Sequence, residues 1–570
     1  MTLRRRSRTV IISGTGILLG KFRRLPQSAP VCAAMRESAT AVRFRCMNPV
    51  HAHSTSRPLA AFLLLAVVCG AHAAEIAVST TQDLVGLNGL CSLREAISNA
   101  NADQALIVGV GECIAGSGPD LITLPPGTYA ITRAGVNEDF NATGDFDLRS
   151  SITIAGASAA ATRITGNLLD RVLHVSGDGL SVTLRRLSIS LGAVPDGPES
   201  IVRAGGGVLA AGASTTTLDG VVVEVNSGGS RTASTGLPGD TGHGGGVACS
   251  GSGTGAGRLV LRDTIVRLNS AGNARAGGSD SGNGGGVYGI FCQLEINRSR
   301  IANNRSGDGV TGSWLPGDGG GIAITGGTLD LVDSVISDNV VGANGTADGG
   351  GIAGIASSAS VRGSSVVGNR AHRGGGIFGG VTSVLDGLVL SVRNSTFSGN
   401  MALTGGAIHL RELSELVLQA TTLADNSASS GGAVAFLACA PGDCRFTLAN
   451  NAFVRNGDNA CDLDGEIDTS SGGFNAFEVN AACGPAQATD LSVLGNALGA
   501  LDEIYAATPS YIPPADSPLI DAGSCAAAGT VVDQAGTARP QQYPAADAAD
   551  GCDIGAIERR SEVVFGNGFE

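Results

Sequence analysis

The chain is predicted to fold as an all-β solenoid, a parallel β-helix, on three observations. Between Gly205 and Asn456 two short words alternate eight times. The first is a glycine cluster followed by an aliphatic residue: Val208, Val247, Val287, Ile322, Ile352, Ile377, Ile408 and Val434. The second places an asparagine three positions after an aliphatic or aromatic residue: Asn226, Asn269, Asn304, Asn339, Asn369, Asn400, Asn426 and Asn456. Successive asparagines lie 26 to 43 residues apart, the period range of stacked supersecondary units. Finally, the units alternate strand-like runs with tight corners and carry no helical pattern of ten or more residues, which disfavours ankyrin, TPR and leucine-rich arrays. Units as short as 26 residues are too small for a four-stranded propeller blade and suit one coil of a β-helix. At about 4.8 Å per coil, eight coils make a rod section of roughly 38 Å.

Composition agrees with a turn-rich folded protein. Of 570 residues 87 are glycine, 43% are hydrophobic and only 15% are charged. That apolar share is too high for a disordered chain, and no Gly-X-Y period supports collagen. A formal charge of −13 without a basic stripe opposes binding to nucleic acid or anionic lipid.

Taken in order, residues 1–46 read as an N-terminal extension upstream of a true start at Met47. Residues 47–73 read as a secretory signal, with Arg57 in a polar start, an apolar core from Leu59 to Val68, and the small-residue exit Ala71-His72-Ala73. After its removal no apolar run reaches transmembrane length. Residues 74–133 form the N-terminal cap. Glu75 to Ser79 is an opening strand, and Leu93, Ala96, Ile97 and Ala100 recur at helical spacing behind Ser92 and Glu95, a capping box. A helix there covers the unpaired first coil. Two strands flank the turn Pro125-Pro126-Gly127, and the coils occupy 134–500. From 501 to 558 the glycine words stop and prolines appear, which marks an irregular C-terminal cap, and 559–570 is a tail.

Three of the 13 cysteines, Cys32, Cys46 and Cys69, fall in the predicted leader. The other ten are an even number in an exported chain and read as disulfides. Pairing near neighbours joins Cys91 with Cys113, Cys249 with Cys292, Cys439 with Cys444, Cys461 with Cys483, and Cys525 with Cys552, although spacing alone leaves the connectivity open.

Several words resemble a known family, the CSLREA-domain secreted bacterial proteins with right-handed, pectin lyase-like β-helix bodies. They are CSLREAI at 91–97, LITLPPGTYAIT at 121–132, GDFDL at 144–148, SITIAG at 151–156, LDRVLHV at 169–175, SPLIDAG at 517–523 and CDIGAIE at 552–558. The resemblance spans nearly the whole mature chain and implies an exported or surface protein. FSGN at 397–400 and GGAI at 405–408 are also similar to repeats of chlamydial polymorphic outer membrane proteins, which are surface adhesins. Those end in a membrane barrel, and nothing after Leu501 supplies the alternating strands for one. The terminal VVFGNGFE resembles a short word on exported proteins of some proteobacteria.

Function is sought in the corners. The segment between each Asn and the next glycine cluster shortens along the chain, from 17 residues after Asn226 to 4 after Asn369, Asn400 and Asn426. Such insertions map to loops on one face, and this ridge includes the lone tryptophan, Trp314. Just before the glycine clusters stand His243, Asn283, Asp318, Asp348, Arg373, Thr404 and Ser430. Asp318 and Asp348 therefore occupy equivalent places on adjacent coils, about 5 Å apart, with Arg373 on the next. Turn chemistry explains such residues most simply. The alternatives are a shared calcium ion or a catalytic acid pair with Arg373 beside it. A second acidic word, NEDFNATGDFDL, offers Asp145 and Asp147 to calcium, although its spacing is not that of an EF-hand. GSGTGAG at 251–257 is a surface turn, because no βαβ context follows it. His174, His243, His372 and His409 have no motif partner. The reading is a secreted or outer-membrane-associated, monomeric, non-catalytic binding or adhesion module of a Gram-negative bacterium. Its partner is a carbohydrate or a neighbouring cell surface, and calcium is the one candidate cofactor. The alternatives are a polysaccharide lyase or glycoside hydrolase, and a structural stalk.

Overall fold

The computed structural model describes the backbone of residues 32–38 and 41–46, and residues 73–560 apart from 137, 197–203, 231–241, 275–280, 310–316, 344–345, 381–386, 458, 479–482, 504–506 and 542–550. All of the predicted signal 47–73 except its last residue, together with Trp314 and the terminal VVFGNGFE, lies outside the described residues. The chain divides into two units at Val68 and Cys69. In the first, strands Cys32–Ser38 and Ala41–Cys46 pair antiparallel.

The second unit is a parallel β-helix with three strands per coil. Sheet I contains Val208–Ala211, Val247–Ser250, Val287–Ile290, Ile322–Thr325, Ile352–Ile355, Ile377–Gly380 and Ile408–Arg411, each paired parallel with the next. Sheet II stacks strands such as Gly257–Arg262, Cys292–Asn297, Thr328–Val332 and Ser357–Arg362. Sheet III has thirteen strands, among them Ile265–Arg267, Arg300–Ala302 and Val335–Ser337. The aliphatic residues after the glycine clusters form one inward row of sheet I, all 0–1% exposed. Leu261, Ile296, Leu331, Val361 and Val392 form a matching inward row of sheet II. Truncating one of these to alanine costs about 2–5 kcal/mol.

The long second strand expected in each unit, such as 259–269, is in fact two strands around a corner. Asp263 there has φ +48°, and Arg298, Asp333, Gly363 and Asn394 repeat that left-handed conformation on the following coils. Behind each stands a hydroxyl, on Thr264, Ser299, Ser334, Ser364 or Ser395. Ser299 N–H donates to Ser334 Oγ at 3.0 Å, and Ser334 N–H to Ser364 Oγ at 3.1 Å. The hydroxyls recur five residues before the asparagines from Asn269 to Asn426, a signal hidden because Ser and Thr also suit strands and turns.

The asparagines themselves form a buried amide ladder. In each step the Nδ2 of one donates to the Oδ1 of the next at 2.9–3.0 Å, from Asn226 through Asn456. The same Oδ1 accepts the preceding coil's backbone N–H. The left-handed residue at this corner is not the asparagine but the one before it, for example Leu268 at φ +56° and Asp338 at +55°. The glycine clusters follow two requirements. Gly319 is left-handed (φ +69°), while Gly321 meets the next coil so closely that a Cβ would stand 2.6 Å from Gly351 O.

Helix α1 (Leu93–Ala102) covers the first coil with the expected capping box, Ser92 and Glu95 bonding reciprocally. Its fully buried Arg94 pairs with Asp83 and donates to Gly144 O at 2.8 Å. At the other end, the edge strand Cys461–Ser471 carries Asp462, Asp464, Glu466 and Asp468, charges that deter edge-to-edge pairing. The described residues from 501 to 558 cover a side of the rod, lying along the outer face of sheet III. There Thr396 Oγ1 donates to Gln534 Oε1, Ser398 Oγ meets Tyr511 OH, and Asn450 Nδ2 donates to Asp553 O. Small residues on that face, such as Ala424 and Ala452, let Tyr511, Leu519 and Ile554 pack close. The five near-neighbour cysteine pairings are all present as disulfides. No helix among the described residues is long and apolar enough to cross a membrane.

Candidate functional sites on the β-helix

Three places gather chemistry. The first is the corner that leads into sheet I. Asn283 N–H donates to His243 Nδ1 at 2.9 Å, Asp318 N–H to Asn283 Oδ1 at 2.8 Å, and Asp348 N–H to Asp318 Oδ1 at 2.8 Å. Asp318 and Asp348 thus stack on neighbouring coils as the alignment required. Arg373 closes the series, its Nε 3.0 Å and its Nη2 2.5 Å from the Asp348 carboxylate. Burial, and next the Asp348 charge, push the Asp318 carboxyl upward. Burial also raises Asp348, against the opposing pull of Arg373. Beyond Arg373, the Phe378 ring lies 5.3 Å under its guanidinium and 5.7 Å from the ring of His409. His409 is 1% exposed and is pushed down to about 3, by burial first and then by Arg373. It is therefore neutral at physiological pH. Sequence reasoning missed this continuation, because Phe378 and His409 become neighbours only through sheet I pairing.

The second place is the acidic word near the N-terminal cap. Asp145 and Asp147 do not converge on one point. Asp145 pairs with Arg171 at 2.8 Å, and burial still pushes its carboxyl up to about 8. Asp147 is wholly buried and faces His174, whose Nδ1 lies 3.2 Å from Asp147 Oδ1 and 3.5 Å from Asp139 Oδ1. The pairing of Asp147 with His174 is strand register on sheet I, 27 residues apart in sequence, so no local motif announced it.

The third is an open groove of about 610 Å³ on the turn between sheets I and II. Its floor is small residues and glycines, including Gly326, Gly327 and Gly387, and one wall is the turn around Ser252 and Gly255. The word GSGTGAG thus folds as a surface turn, closed by reciprocal bonds between Ser252 and Gly255. Phe291 is 56% exposed and lies over Gly326, where a Cβ would come within 2.7 Å of the ring. Gln293, Thr328, Ser358 and Val389 line up beside it through sheet II register, all exposed. Among the described residues no charged side chain lines the groove. At its rim Asp178 accepts from Ser252 Oγ at 3.1 Å, and on sheet II Arg258 with Glu295 is closed on itself by two bonds of 2.7 Å.

No family model matches the chain, and no curated protein matches it. Among solved structures it is similar to a PL6 alginate lyase in complex with a trisaccharide, at 11% identity over 77% of this chain and 91% of that one, with a TM-score of 0.27. It is also similar to the A-module of the mannuronan C-5 epimerase AlgE6 of Azotobacter vinelandii, at 12% identity over 64% of this chain and 91% of that one, with a TM-score of 0.18. At such values the fold of this chain rests on its own strand pairing, three parallel ladders closed coil by coil.

Proposed function

We propose that this is an exported or surface-exposed β-helix that binds a glycan without cleaving it, using the groove beside Phe291. The groove carries the reading. An exposed aromatic ring offers a flat apolar face, and Gln293, Thr328, Ser358 and Ser252 supply donors and acceptors around it, the mix that ligand clefts use. Polar positions repeat coil by coil, so an extended chain running along the axis meets a similar partner at each step of about 4.8 Å. The described lining residues are uncharged, which fits a neutral glycan better than a polyuronate. The test is a glycan array followed by titration with the best hit. Phe291→Ala is expected to weaken binding at least tenfold, about 1.4 kcal/mol, with the melting temperature unchanged. Equal affinity in the variant would sink the groove as the site.

A second reading, a polysaccharide lyase or glycoside hydrolase, is favoured by the stacked carboxyls of Asp318 and Asp348 beside Arg373. Buried acids with raised pKa next to a fixed cation are a recurrent catalytic arrangement. Against it stands the backbone N–H that Asp318 accepts and the salt bridge that occupies Asp348. Depolymerisation of neutral and uronate polysaccharides, lost in Asp348→Asn, would establish this reading and displace the first.

A further inference from the structure

We infer that Asp139, Asp147 and His174 form a site for one divalent cation of the zinc or manganese class on the outer face of sheet I, beside the N-terminal cap. The three donor atoms lie within 4.8 Å of one another. Zinc bonds of about 2.0–2.2 Å in tetrahedral geometry set donor atoms about 3.4 Å apart, and His174 Nδ1 stands 3.2 and 3.5 Å from the two carboxylate oxygens. One nitrogen and two carboxylates suit a transition-type ion, whereas calcium takes six to eight oxygens.

The site is held from outside. Asp147 Oδ2 accepts the Asn141 N–H at 2.8 Å, which turns Oδ1 toward His174. Asn141 is anchored to helix α1, donating to Arg94 O at 2.8 Å and to Ser98 Oγ at 2.9 Å. The Glu138 carboxylate ties the loop together by accepting from Phe140, Ala142 and Thr143 N–H. Supports of this kind orient metal ligands.

Charge is the independent argument. Asp147 is wholly buried, and a buried charge needs a partner or a metal. Arg171 is engaged with Asp145 and Arg94 with Asp83. Among the described residues His174 is the single ion-pair partner of both Asp139 and Asp147. A divalent ion with neutral His174 brings the trio to zero charge, whereas an imidazolium leaves it at minus one. Asp139 is largely exposed, which leaves a coordination position open to water or a ligand.

The experiment uses the full, untagged chain stripped with EDTA, titrated with zinc, manganese and calcium chlorides by calorimetry and thermal melting. One zinc or manganese ion per chain and a rise in melting temperature are expected. Asp139→Asn changes an exposed residue and should weaken binding at least tenfold with the metal-free melt unchanged; His174→Ala should abolish it. Histidine nitrogen NMR gives a second readout, since metal at Nδ1 must displace its proton. Absence of binding, equal binding in Asp139→Asn, or a His174 Nδ1 proton that persists at saturating zinc would each overturn the site and leave a plain hydrogen-bonded contact between His174 and the two carboxylates.

Discussion

The two corners that flank each variable loop use the same bond run in opposite directions. At the asparagine corner a backbone N–H donates to the side chain on the following coil; at the glycine corner it donates to the side chain on the preceding coil. One corner repeats a single residue from Asn226 to Asn456, and the other changes at almost every coil. The difference is donor chemistry. Each inner ladder asparagine, from Asn269 to Asn426, accepts two bonds at Oδ1 and also donates from Nδ2 to the next Oδ1 and to a sheet III carbonyl, as Asn339 does toward Asn369 and Ile301. Asp has no such donor, and Ser cannot reach both. The glycine corner needs only an acceptor, which His243 Nδ1, Asn283 Oδ1 and Asp318 Oδ1 all supply. Its residues can therefore vary, and charge can collect there without loss of the fold.

Asn339→Ala should have the largest effect. It orphans the buried backbone N–H and one of the two Nδ2 hydrogens of Asn304, the other keeping Val266 O, a cost of about 2–6 kcal/mol at about 1–3 per group. Urea unfolding measures it, and a cost below that of Asn283→Ala would break the comparison.

Arg373→Ala comes next. It leaves Asp348, 5% exposed, without its cation. A loss of about 2–3 kcal/mol is expected, below the usual figure for a buried pair because Arg373 is partly exposed. The loss should be smaller at pH 5 than at pH 8, since protonation removes the stranded charge.

Asp318→Asn sharpens the point through pH. The folded-state pKa of Asp318 is raised, so the stability linked to its proton is present at low pH and fades as pH rises through that value. The variant should match the parent near pH 4 and exceed it by about 1 kcal/mol at pH 9, read from paired melts. An advantage at low pH would contradict the assignment.

Thr404→Ala should do least. It removes the 3.2 Å contact between Thr404 Oγ1 and His409 Nδ1, with a loss of about 1 kcal/mol or less. A larger effect would mean that the glycine corner is as demanding as the asparagine corner.

Much of the candidate chemistry was only partly legible along the chain. The stacking of Asp318 and Asp348 could be aligned because both stand one residue before a glycine cluster. Their different fates could not, since Asp348 meets Arg373 while Asp318 takes a backbone N–H. The site at His174 was hidden for another reason. Asp147 reaches His174 through strand register, and Asp139 arrives from a loop tied to helix α1. The groove at Phe291 was not legible, because only sheet II register sets Gln293, Thr328, Ser358 and Val389 side by side next to the Ser252 turn.

The amino-acid sequence by itself determined the parallel β-helix, the eight glycine–asparagine units within it, the capping helix and the aliphatic row after the glycine clusters. Those features depend on periodicity and local backbone preference, which recur wherever the words recur. Only the tertiary structure decided that each unit bends into three strands, that the described part of 501–558 lies along sheet III, and which polar groups meet. Coil stacking brings together residues about 25 to 40 positions apart, and no local preference encodes that proximity.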